Sequence, residues 1–113
     1  MNTVNFNRHR PPILNVPLFD KDETVLHVTL PTVDLQEELR AYSGNFNALL
    51  GGGDDEVRNA LWDLAARLMS CNRNWRQLTP EQLRKNYNLD EEDLVVFFHQ
   101  YADFVKGIEN AKN

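Results

Sequence analysis

The chain has 113 residues, room for one domain around one core. With 42% hydrophobic and 26% charged residues it fits neither wholesale disorder nor a membrane-embedded protein, and no apolar run approaches the ~18 residues of a membrane span. A net charge of -5 weighs against a nucleic-acid binder, whose affinity comes from Lys and Arg on phosphates; a basic stripe on an acidic chain would still allow one.

Met1 to Arg10 is polar and lacks the apolar centre of a signal peptide. Residues 1–11 are expected to form a flexible or extended lead-in, closed by Pro11-Pro12, whose nitrogens deny a helix its donors. The fold class predicted from there on is mainly α with a short N-terminal β-hairpin, a single domain over residues 12–109. Residues 13–30 carry the hairpin. Ile13, Leu14, Val16, Leu18 and Phe19 make one run and Val25, Leu26, Val28 and Leu30 the other, around the polar turn Asp20-Lys21-Asp22-Glu23. Pro17 marks the first run as an edge strand.

Pro31 ends the hairpin. A helix is predicted over about 33–50, with Ser43-Gly44 able to interrupt it and Gly51-Gly52-Gly53 as the clearest break in the chain. Val57, Leu61, Leu64 and Leu68 recur at helical spacing over about 54–71, with Asp54, Asp55 and Glu56 at the positive end of the dipole. Asn72-Arg73-Asn74 ends that helix. Thr79-Pro80-Glu81-Gln82 is a start signal for a short helix over about 79–87, with Thr79 as N-cap and Gln82 able to close a capping box. The last helix, about 90–109, opens at Asp90 with Asp93 near its third position, and residues 110–113 are expected to fray. Leu64, Leu68, Phe97 and Tyr101 are the expected core.

Catalysis has little support. His9, His27 and His99 are scattered, Cys71 has no neighbouring histidine, and no metal-binding or phosphate-binding motif is present, so no catalytic residue, cofactor or metal is expected. The lone Cys71 allows no internal disulfide and suits a reducing compartment. Asp90 to Asp93 reads as a helix start rather than a calcium loop. Binding is better signalled. Trp75 sits in a polar linker flanked by Arg73 and Arg76. It either folds back onto the core or anchors a protein interface, where Trp and Arg are favoured. Phe97, Phe98, Tyr101 and Phe104 cover more than one face of the last helix. Phe98 and Phe104 lie about 120° apart around it, so both are not expected to serve one core face. Trp75, Phe98 and Phe104 are therefore the candidate anchors, with Arg73 and Arg76 at the rim.

Several strings in the C-terminal half resemble the tail assembly chaperones of long-tailed bacteriophages and prophages of Gram-positive hosts. They are Leu61 to Ala66, Asn72-Arg73, Leu78 to Leu83 and Leu89 to Phe104, within a resemblance covering roughly residues 57–113. It implies a protein that binds the long helical tape measure protein, keeps it soluble and helps recruit tail tube protein. It also implies residence in the host bacterial cytoplasm and absence from the finished virion. Many such proteins are also made as a longer product by ribosomal frameshifting. Self-association into a homo-oligomer is expected from the aromatic surplus on the last helix. The alternative class is a small helical DNA-binding or regulatory module, although its reading helix would begin with four acids. An enzyme with a site hidden in the fold is the third.

Overall fold

A computed structural model describes residues 13–18, 20–42, 45–52 and 54–111. The lead-in through Pro12, Phe19, the Ser43-Gly44 pair, Gly53 and the last two residues of the tail lie outside the described residues. The chain folds as the pattern predicts, with a two-stranded antiparallel hairpin followed by helices. The strands are β1 (Leu14–Pro17) and β2 (Val25–Val28). The helices are α1 (Val33–Tyr42), α2 (Phe46–Gly52), α3 (Asp55–Met69), α4 (Pro80–Lys85) and α5 (Glu91–Ala111).

In the hairpin Leu14 faces Val28 and Val16 faces Leu26, so each cross-strand pair puts apolar side chains on one face. Leu26 and Val28 are fully buried there. The turn closes with the Glu23 N–H donating to the Asp20 carbonyl at 3.0 Å, and the Asp20 carboxylate accepts from the backbone N–H and hydroxyl of Thr24. Those donors hold the Asp20 carboxyl below the usual range. Glu23 adopts a left-handed φ of 51° to make the turn.

Several helix ends depart from the expected bounds. The helix predicted over 33–50 is two helices, divided where the sequence offered an interruption: α1 ends at Tyr42 and Asn45 starts a new turn by accepting from Leu49 N–H. Gly51 and Gly52, expected as a break, are the last residues of α2. Glycine loses helix propensity but does not forbid the conformation, and packing of Phe46 and Leu50 into the core holds the turn. The helix starts follow the sequence closely. Asp54 caps α3 through Val57 N–H, and Thr79 and Gln82 form the capping box of α4. Asp90 and Asp93 cap each other's backbone N–H at 3.0 and 2.9 Å where α5 begins. α5 runs through Ala111, two residues beyond the expected end.

α3 is the centre of the molecule. Leu61, Trp62, Leu64, Ala65, Ala66, Leu68 and Met69 are all buried, and α1, α2, α4, α5 and β2 pack around it. Leu64, Leu68, Phe97 and Tyr101 take the core positions predicted for them. The Arg84 guanidinium of α4 lies 4.6 Å from the Trp62 ring centroid, covering the edge of that core with a cation over a π face.

Candidate functional site

The segment between α3 and α4 is not a passive linker. β2 uses Thr24, Leu26 and Val28 on the β1 side, so its other edge leaves the groups of Val25, His27 and Thr29 to be satisfied. The α3–α4 segment meets four of them. Thr29 N–H donates to the Cys71 carbonyl at 2.7 Å, and Arg73 N–H donates to the His27 carbonyl at 3.0 Å. His27 N–H donates to Asn74 Oδ1 at 2.9 Å, and Asn74 Nδ2 donates to the Val25 carbonyl at 3.2 Å. The Asn74 amide thus does what a peptide group of a third strand would do.

Asn72 braces the loop from inside. Its Oδ1 accepts from the N–H groups of Asn74 and Arg76, while its Nδ2 donates to the carbonyls of Met69 and Arg76. Ser70 closes the far end, donating to the Ala66 carbonyl at 2.7 Å and accepting from Leu78 N–H at 2.9 Å. These bonds leave the loop little freedom at its tip, and Trp75 stands at that tip.

Trp75 is 94% exposed, with a left-handed φ of 58°. A bulky residue there costs on the order of 1–2 kcal/mol that glycine would avoid. The backbone strain is held by the hydrogen bonds on either side, and no burial of the indole offsets it. Strain at an exposed aromatic tip, over-determined by its surroundings, is a mark of a binding position. Arg73 and Arg76 are exposed beside it.

The five predicted contact residues therefore separate. Arg73, Trp75 and Arg76 lie together on one braced loop. Phe98 does not belong with them. It is 0% exposed and stacks on Phe46 of α2, with ring centroids 4.7 Å apart and planes 3° apart. The expectation of an exposed Phe98 fails because α5 packs against both α2 and α3, so its buried face is wide enough to take Phe97 and Phe98 together. Phe104 is half-buried, 5.9 Å from the Tyr101 ring. The aromatic pairs of the described residues run from Phe46 along α5 to Phe104, and Trp75 is not among them.

No family model matches the chain, and neither a curated protein nor a solved structure matches it. The site is therefore read from its own chemistry. Burial pushes the Cys71 thiol up, which keeps it in its less reactive protonated form at neutral pH. Burial likewise raises the Tyr101 phenol, whose hydroxyl donates to the Thr29 carbonyl at 3.3 Å. Among the described residues no group of three or more His, Cys, Asp or Glu side chains could hold a metal ion, and no helix is long and apolar enough to cross a membrane. What the loop offers is an exposed indole on a braced backbone, with Arg73 and Arg76 exposed beside it.

Sequence reasoning missed Asn72 and Asn74, read only as the end of α3. The signal was there in part: two amides spaced by one residue, directly after a helix and just before an aromatic residue. What it lacked was the edge of β2, which lies more than forty residues upstream.

Proposed function

We propose that this chain is a protein-binding module of the tail assembly chaperone kind, holding a helical segment of a tape measure protein through apolar contacts centred on Trp75. The observation that carries the reading is the braced, strained and exposed Trp75. A braced backbone beneath the indole loses little entropy on binding, and Trp and Arg are the residues that most often dominate interfaces. The partner's identity rests on the resemblance of residues 57–113. Phe104, half-buried at the surface of α5, is a secondary contact. Recruitment of tail tube protein, self-association, and action in the host cytoplasm with absence from the virion belong to the same proposal.

Duplex DNA binding is less favoured, because α5, the helix that would enter a groove, opens with exposed Glu91, Glu92 and Asp93.

The test is co-expression with a tape measure protein of a long-tailed bacteriophage, followed by pull-down. Trp75→Ala is expected to weaken recovery by more than the ~2 kcal/mol of a dominant anchor, and Arg73→Ala far less. Thermal melts of each variant control for folding. Normal recovery with a folded Trp75→Ala would remove the loop from the interface, and no recovery with the parent chain would remove the chaperone reading.

A further inference from the structure

On the other side of the sheet no strand pairs with β1 among the described residues. Leu18 N–H donates to the Thr24 carbonyl at 2.9 Å, and Leu14 and Val16 pair with Val28 and Leu26, so the main-chain groups of residues 14, 16 and 18 point toward β2. Antiparallel alternation then turns the groups of Asn15 and Pro17 outward. Among the described residues this row is left unpaired, and it offers the N–H and carbonyl of Asn15 and the carbonyl of Pro17, which has no N–H to leave unmade.

This row borders a groove of about 310 Å³. All of residues 14–18 line it, inward-facing and outward-facing alike, as they do when a strand presents its edge rather than one face. The opposite wall is α5 with a residue just before it: Leu89, Asp93, Val96, Phe97 and Gln100, at helical spacing. Val96 is 55% exposed in that wall, an apolar side chain left largely uncovered by the described residues. An edge strand facing a helix across an apolar groove is the arrangement that accepts an added strand, with main-chain bonds on one side and side-chain contacts on the other.

Charge selects the occupant. Among the described residues lining the groove Asp93 is the one that carries a charge, and no lysine or arginine accompanies it. Asp90, Glu91 and Glu92 are exposed at the adjoining start of α5. A second copy of this chain, also at -5, would bring the same acids to the contact. We propose that the groove between β1 and α5 binds an extended, cationic segment of another protein, with apolar side chains at alternate positions, by adding a strand to β1. This surface is separate from Trp75 and does not depend on the identity of the partner bound there.

The probe is a synthetic peptide of alternating lysine and valine, capped at both ends, titrated into the isotope-labelled full chain. A control peptide carries glutamate in place of lysine. Amide shifts are expected at residues 14–18 and 93–100, with slower exchange of the Asn15 amide and affinity that weakens as salt is added. Val96→Lys, at an exposed position, should weaken binding about tenfold or more by placing a cation against the cationic peptide. Trp75→Ala should leave it unchanged. No shift at millimolar lysine peptide, equal binding of the glutamate peptide, or shifts centred on residues 72–76 would overturn the proposal. Sedimentation showing a dimer abolished by Val96→Lys would assign the groove to a second copy instead.

Discussion

Replacing Phe98 by alanine removes a ring that is entirely buried and stacked on Phe46. The space it leaves lies between α2 and α5, and the rings of Phe46 and Phe97 on either side can relax into it only in part. Buried Phe→Ala changes cost ~3–5 kcal/mol, and a stacked ring pair adds ~0.5–1.5 kcal/mol beyond burial, which places this one toward the upper end. A domain of this size holds ~5–15 kcal/mol in all, so about a fifth or more of the stability goes. With an unfolding entropy of ~2.1 cal/mol/K per residue, the melting temperature should fall by roughly 12–21 °C. Urea and thermal unfolding followed by circular dichroism measure the loss. Adding Phe46→Ala and the double variant isolates the ring pair, with an expected coupling of ~0.5–1.5 kcal/mol. A loss under ~1 kcal/mol together with impaired partner binding would refute the reasoning, since it would put Phe98 on a surface rather than in the core.

Trp75→Gly exchanges a strained, exposed indole for the residue best suited to its φ, so its melting temperature should stay level or rise; a fall of more than about 4 °C would show that the indole packs. Asn74→Asp keeps the acceptor for His27 N–H but sets a carboxylate oxygen against the Val25 carbonyl, and should cost ~1–3 kcal/mol in urea unfolding, against little change for Asn59→Asp on the exposed side of α3. Arg67 grips Glu38 through two hydrogen bonds of 2.6 and 2.9 Å, and that pairing holds the Glu38 carboxyl below its ordinary value. Its stabilisation is therefore complete above the unfolded value near 4.5 and is lost as pH falls through the lower folded value. Both side chains are more than 40% exposed, so Glu38→Gln should remove no more than the ~1 kcal/mol of a surface pair and flatten the stability profile in that acidic window.

Features set by near neighbours in the chain are legible in the sequence. The Thr79-Pro80-Glu81-Gln82 start signal, the Asp54 cap and the Asp20 to Glu23 turn all depend on contacts within four residues, and each takes its expected place. Pro17 is likewise sufficient to mark an edge, because a missing donor can only point away from a partner strand. Phe98 is misplaced by the sequence pattern because its burial depends on Phe46, which reaches it through the packing of α2 and not through any local signal. Rotation around one helix says which side chains diverge, but not how many helices surround it. Neither the exposure of Trp75, which the sequence left open between the core and an interface, nor its left-handed backbone is legible locally, since both follow from the loop that Asn72 and the edge of β2 hold.

The hairpin ends differently on its two sides, and this limits what can be built from it. On the β2 side the outward groups are met by main chain at Cys71 and Arg73 and by the side-chain amide of Asn74. On the β1 side the row left unpaired among the described residues is short, and Pro17 removes one of its donors. Among the described residues the sheet is therefore extendable on one side. Two copies meeting through β1 would make a closed pair. Such a pair has no further main-chain row of this sheet with which to seed an endless ribbon.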